Sequence, residues 1–151
     1  MASGPPLSLT GRALRLLSGR EHSRAELQRK LAPHEETPGE LAAVLDKLAA
    51  KDLQSDQRAV DSLVHRRSAK LGTQRLRQEM QSKGMDPQAV AQAVALLRTS
   101  EQARALEVWR KKFGNPATTP AERAKQVRFL AGRGFSGEAI ARVISGAFDA
   151  D

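Results

Sequence analysis

The 151-residue chain has no cysteine and no tyrosine, and its aromatics amount to four Phe and one Trp. Without Cys there is no disulfide frame, no thiol nucleophile and no zinc–cysteine site, which fits a reducing compartment. β-Branched aliphatics are scarce as well, eight Val and two Ile, which argues against a sandwich or barrel. No apolar run approaches the roughly 18 residues that span a bilayer, and Met1 to Pro6 carries no signal-peptide core. What is present is Ala and Leu, 42 of the 60 apolar residues, both strong helix formers. The expectation is an all-α, cytoplasmic protein. Its formal charge is +8, and Arg outnumbers Lys by 17 to 8. The forked guanidinium suits phosphate or carboxylate, so nucleic acid, an acidic protein surface or a nucleoprotein are the partner classes.

Helix starts organise the chain. A helix leaves its first N–H groups unpaired, and a Ser, Thr or Asp side chain can accept from them. Capping boxes are read at Ser23 with Glu26, Thr37 with Glu40, Thr119 with Glu122 and Thr99 with Gln102. Asp86 precedes Pro87, and Thr10, Ser55, Thr73 and Ser136 also read as caps, giving nine starts. Helically spaced apolar residues follow them, such as Leu41, Val44, Leu45 and Leu48 after Thr37. Gly84, Gly114, Gly132 and Gly134 sit where helices should stop. Caps at 10, 55 and 99 are about 45 apart, and those at 37, 86 and 136 about 50. The spacing predicts an elongated, curved tandem array of three three-helix units: an N-terminal tail at 1–9, units at 10–53, 54–98 and 99–148, and an acidic end at 149–151. Trp109, Phe113, Phe129, Phe135 and Phe148 all fall in the last third, so the third core should be built differently.

Catalytic motifs are weak. Gly132 to Gly137 matches G-x-G-x-x-G, but a helix rather than a strand precedes it, so it reads as a helix stop and a new cap. His22, His34 and His65 form no spaced pair. Ser23 reads as a cap rather than a nucleophile, since no base lies beside it. No catalytic residue, cofactor site or metal site is expected. The remaining signal is two basic runs. One extends from Arg58 through Arg66, Arg67, Lys70, Arg75 and Arg77 to Lys83. The second takes in Arg98, Arg104, Arg110, Lys111, Lys112, Arg123, Lys125, Arg128 and Arg133. An anionic partner is the reading for both.

Three stretches carry a family resemblance: Arg20-Glu21-His22-Ser23-Arg24-Ala25-Glu26-Leu27 with Lys30-Leu31; Gly72 through Met80 with Lys83-Gly84; and Arg128-Phe129-Leu130 with Arg133-Gly134-Phe135-Ser136. In this order they resemble the RecX family, bacterial regulatory proteins that act on the RecA recombinase. The chain departs from the family pattern at Ala59 and Leu63, where aromatics are usual, and at Thr73, where Pro is common. The resemblance implies an array that lies in the groove of a RecA filament on single-stranded DNA, and the chain is expected to be a monomer. It would depress filament growth, ATP hydrolysis, strand exchange and co-protease activity, and so regulate DNA repair and recombination. Contact residues under that reading are Arg58, Arg66, Arg67, Arg75, Arg77 and Lys83, with Lys111, Lys112 and Arg128 as a second set. Weak contact with DNA is also implied, and no membrane partner. The competing reading is a helix-turn-helix DNA-binding protein, with a recognition helix in the major groove.

Overall fold

The computed structural model describes residues 7–146. Among them are eight α-helices and no strand: α1 Leu9–Gly19, α2 Arg24–Leu31, α3 Glu40–Ala50, α4 Asp56–Arg67, α5 Thr73–Ser82, α6 Pro87–Lys112, α7 Pro120–Gly132 and α8 Gly137–Gly146. A short 3-10 turn, Ala32–His34, follows α2. Phe148 and the acidic end lie outside the described residues.

The helices enclose three separate cores. The first gathers Leu9, Ala13, Leu27, Leu31, Leu41, Leu45 and Leu48 from α1 to α3. The second draws on α4, α5 and the first half of α6, with Val60, Leu63, Leu76, Met80, Val90 and Leu97 among its residues. The third is the aromatic one, with Trp109, Leu130, Phe135, Ile140, Val143 and Ile144 buried and Phe113 and Phe129 partly so. Ala59 and Leu63, where the chain departs from the family pattern, both line the second core, so those departures alter packing. Among the described residues, every hydrogen bond between units joins the first to the second or the second to the third. The units are therefore in series, each supported by its neighbour.

Five of the expected caps hold: Ser23, Ser55, Asp86, Thr119 and Ser136 each accept from a backbone N–H three residues on. Four differ. The first helix is capped by Ser8, not Thr10, so Leu9 is already helical and buried rather than part of a tail. At α3 the Pro38-Gly39 pair forms a turn and Gly39 is the N-cap residue. Glu40 still reaches back to the Thr37 N–H at 3.4 Å, which is half a capping box. At α5 the N-cap residue is Gly72, and the Thr73 N–H is taken by Glu101 of another helix.

Thr99 caps nothing. It lies inside α6, a single 26-residue helix, so two of the nine expected helices are one and the expected boundary at 98/99 falls within it. A hydroxyl in a helix can bond back along its own turn instead of starting a new one. Thr99 Oγ1 donates to the Leu96 carbonyl at 2.6 Å and Ser100 Oγ to Leu97 at 3.2 Å. With good helix formers on both sides and neither Gly nor Pro between Gln88 and Lys112, nothing interrupts the ladder. Residues 90, 94, 97, 101, 105 and 109 continue as one buried stripe, whose first half serves the second core and whose end serves the third.

Candidate partner-binding surfaces and the joints beneath them

The functional surface is positioned by the joints between units. At the first joint, Ser23 Oγ accepts from the Glu26 N–H at 3.0 Å and donates to the Lys83 carbonyl, at the end of α5, at 2.6 Å. Glu26 closes the capping box on the Ser23 N–H and holds Arg20 at 2.6 Å. Asp56 adds a carboxylate clamp. Its Oδ1 accepts from the Arg24 N–H at 2.8 Å and its Oδ2 from the Asp86 N–H at 2.7 Å. One side chain on α4 thereby fixes the starts of α2 and α6. His22 is buried with Nε2 3.1 Å from Lys30 Nζ and Nδ1 3.0 Å from the Arg20 carbonyl. Since the ammonium can only donate, Nε2 accepts and the ring proton sits on Nδ1.

The second joint repeats the scheme with different residues. The Gly72 N–H donates to the Arg133 carbonyl at 2.8 Å, and Glu101 accepts from the Thr73 N–H at 2.9 Å. Asp56 and Glu101 are one repeat apart, and each caps the second helix of the preceding unit. A Pro at position 73 would lack the N–H that Glu101 takes. Gly84 and Gly134 end α5 and α7 in matching left-handed turns; Gly84 lies against Ala25 and Gly134 against Arg75. Arg104, on α6, bonds the Ser68 and Leu71 carbonyls and Thr73 Oγ1. The stretches that resemble the family (20–27, 72–84 and 133–136) are these joints. The G-x-G-x-x-G match is the end of α7 and the start of α8.

The nine nominated cations do not form one patch. Arg58 bonds Glu21 at 3.0 Å and Asp52 at 2.9 Å, and Arg67 grips both oxygens of Glu79 at 2.8 Å. Both are engaged within the chain: Arg58 braces the first joint and Arg67 ties α4 to α5. Arg66, Arg77, Lys83, Lys111 and Arg128 have no ion pair among the described residues. Arg75 meets the Gly132 carbonyl at 3.3 Å and no carboxylate. Lys112 lies 5.2 Å from the centre of the Phe129 ring, and Arg133 lies 5.0 Å from the same centre. Arg75 thus sits at the second joint, Arg133 and Lys112 flank Phe129 of the third unit, and Lys83 borders the first joint. No group of three or more His, Asp or Glu able to hold a metal comes together among the described residues, and no described helix is long and apolar enough to cross a membrane.

Two joint groups make stability depend on pH. Burial pushes His22 below its ordinary value, and the charges of Arg20 and Lys30 add to this against the opposing bond to the Arg20 carbonyl. Burial would raise Glu26, but hydrogen bonds from Arg20 and the Ser23 N–H outweigh it and hold the carboxyl below its usual range. In both cases the unfolded chain binds the proton more readily than the folded one, so acid favours unfolding. Stability is expected to fall as pH drops below about 6.5, the unperturbed His value, and further below the unperturbed Glu range. Urea midpoints at pH 7.5 and 5.5 check this. His22→Asn should flatten the upper part of the loss, and an unchanged slope would refute the assignment.

This geometry defines a class: an all-helical array of three units in series, locked by capping carboxylates and close backbone contacts, with unpaired cations on the middle and last units. Comparisons with known proteins agree in detail. Models of the first, second and third three-helix domains of RecX match residues 11–48, 55–94 and 100–144. The regulatory protein RecX of Leptothrix cholodnii is 51% identical over 95% of this chain and 92% of its own length. That of Neisseria meningitidis is 40% identical over 96% and 94%. The crystal structure of RecX from Lactobacillus salivarius, at 19% identity, superposes with a TM-score of 0.77 over 91% of this chain and 93% of its own. The chain belongs to the RecX family of regulatory proteins.

Proposed function

We propose that this protein, a cytoplasmic monomer, binds RecA and RecA filaments on single-stranded DNA. It restrains filament growth, ATP hydrolysis, strand exchange and co-protease activity, and through them DNA repair and recombination. The observation that carries this reading is the match, in order, to all three RecX units. Cations with no carboxylate partner on the middle and last units supply charge for an acidic protein surface or for phosphate. A recognition-helix role is disfavoured, since the first turns of α2 and α5 are packed into the joints.

The test is the single-strand-dependent ATPase of RecA. Purified protein below RecA in concentration should lower it and slow filament growth; no effect at equimolar protein would overturn the reading. Arg66→Glu with Arg75→Glu changes two exposed residues that bond no carboxylate. The pair should weaken inhibition at least tenfold at unchanged helicity, and unaltered inhibition would remove them from the contact surface.

A further inference from the structure

An open groove of about 620 Å³ runs between α5 and α6 in the middle unit, and the proposed contact surface does not account for it. Met85, Val90 and Val94, all buried core residues, form its apolar floor, and Ala91 and Arg77, both exposed, also line it. Arg77 has no hydrogen bond or ion pair among the described residues. The acids nearby are already engaged: Asp86 caps α6 through the Ala89 N–H at 3.0 Å, and Glu79 pairs with Arg67. Of the residues that line the groove, Arg77 alone carries a formal charge, so the lining itself is positive.

The matching crevice of the first unit is spanned by a salt bridge. There Arg24 reaches from α2 to Asp46 on α3 at 2.8 Å and to the Ala42 carbonyl at 3.4 Å. One repeat of 49 residues later, Arg24 and Asp46 become Thr73 and Ala95, which carry no such bridge, and Gln28 becomes Arg77. The middle unit has thus lost a strap across this crevice and gained an unpaired guanidinium beside it.

We propose that this groove seats a segment of the protein partner that presents an apolar side chain next to a carboxylate, the apolar group on the Met85–Val90–Val94 floor and the carboxylate on Arg77. The inference rests on the proposed function for the partner's identity, but its chemistry can be tested without that partner. A guanidinium–carboxylate bond beside an apolar socket supplies both anchor and orientation.

Two arms test it. In the first, the isotopically labelled protein is titrated with an acetylated hexapeptide of alternating Leu and Asp, and with its Leu/Lys counterpart. The acidic peptide should shift the amides of Arg77, Gly84, Ala91 and Val94, and the basic one should not. Equal responses, or none in the groove, overturn the proposal whatever RecA does. In the second arm, inhibition of RecA ATPase is measured for Ala91→Glu and Ala91→Lys, both compatible with an exposed helix position. Ala91→Glu, which supplies Arg77 with an internal carboxylate, should raise the inhibitory concentration about tenfold. Ala91→Lys, of similar bulk and opposite charge, should raise it much less than Ala91→Glu does. Equal weakening by both variants, or no effect of Ala91→Glu in a protein that otherwise inhibits, refutes the acidic occupant. Inactivity of the parent protein would count against the functional reading, leaving the peptide arm to judge the groove.

Discussion

Gly72→Ala is expected to destabilise the protein by about 3 kcal/mol or more, within the upper range for single substitutions that force a backbone contact apart. Gly72 has an ordinary extended conformation, φ −77°, so alanine meets no intrinsic strain there. The penalty comes from space alone. A Cβ at Gly72 would overlap the carbonyl of Gly134 and the backbone N of Phe135, and backbone cannot swing aside as a flexible side chain can. Relief requires the second and third units to separate, which would also break the bond from the Gly72 N–H to the Arg133 carbonyl at 2.8 Å. The second core should survive, since no residue of it is altered, so helicity should fall less than stability. The control is Gly137→Ala at the start of α8, where nothing lies within 4 Å of an added Cβ. There the gain in helix propensity should stabilise by about 0.5–1 kcal/mol. Urea unfolding of both variants decides the matter. Equal midpoints for Gly72→Ala and the parent would mean that the close approach of the two units is not a constraint in solution.

Local signals were legible in the sequence and distant ones were not. Ser23, Asp86 and Thr119 could be identified as caps because the acceptor and the N–H it serves are three residues apart. The stripe of Leu41, Val44, Leu45 and Leu48 was legible for the same reason, as it repeats within a turn or two. Thr99 misled because the motif it forms with Gln102 is also compatible with a continuing helix. The unbroken run of helix formers from Gln102 to Lys112 decides between the two in favour of continuation. Thr73 misled differently: its N–H is capped, but by Glu101, 28 residues away on α6. Asp56 likewise acts on Arg24, 32 residues back, and on Asp86, 30 ahead. In the sequence both carboxylates lie within or beside the basic runs, with nothing local to mark them as caps. The available signal was their separation of 45, the repeat length itself.

The basic runs themselves sorted only in three dimensions. Arg58 and Arg67 look like their neighbours in the sequence, yet each finds a carboxylate, on Glu21 and Glu79, that only tertiary packing provides. Arg75 and Arg133 belong to different runs but both lie at the second joint, where Arg75 Nη1 is 3.3 Å from the Gly132 carbonyl and the Arg133 carbonyl accepts from the Gly72 N–H. Surface ion pairs of the Arg58 kind contribute little to stability, typically under about 1 kcal/mol. Their consequence is functional, because a guanidinium already held by the chain has fewer free donors for a partner. The unpaired residues Arg66, Arg77, Lys83, Lys111 and Arg128 are the more available contacts, and the joints determine how they are spaced.

Arg104→Met is expected to cost about 2–4 kcal/mol, the range for leaving buried acceptors without a donor. Arg104 sits on α6 where the second unit meets the third, and its donors reach five acceptors. Nε donates to Ser100 Oγ at 3.0 Å; Nη1 to the carbonyls of Ser68, at 3.0 Å, and Leu71, at 2.5 Å; Nη2 to Thr73 Oγ1, at 3.0 Å, and the Leu97 carbonyl, at 2.9 Å. Burial lowers its pKa and Glu101 acts against that, but a guanidinium remains charged at neutral pH. Met fills a similar length without donors, so the Ser68 and Leu71 carbonyls, which terminate α4 and lead into α5, lose their partner. For a chain of this size the loss corresponds to a midpoint lower by about 5–15 °C. Arg104→Lys should recover less than half of it, because a single ammonium cannot reproduce a fork that spans two helices and a turn. Thermal unfolding followed by circular dichroism gives the magnitude. Amide exchange localises it: Leu71, Gly72 and Thr73 should lose protection before Leu41 or Leu45 does. If Arg104→Met melts with the parent, or if exchange accelerates uniformly, the second joint is not held by this side chain.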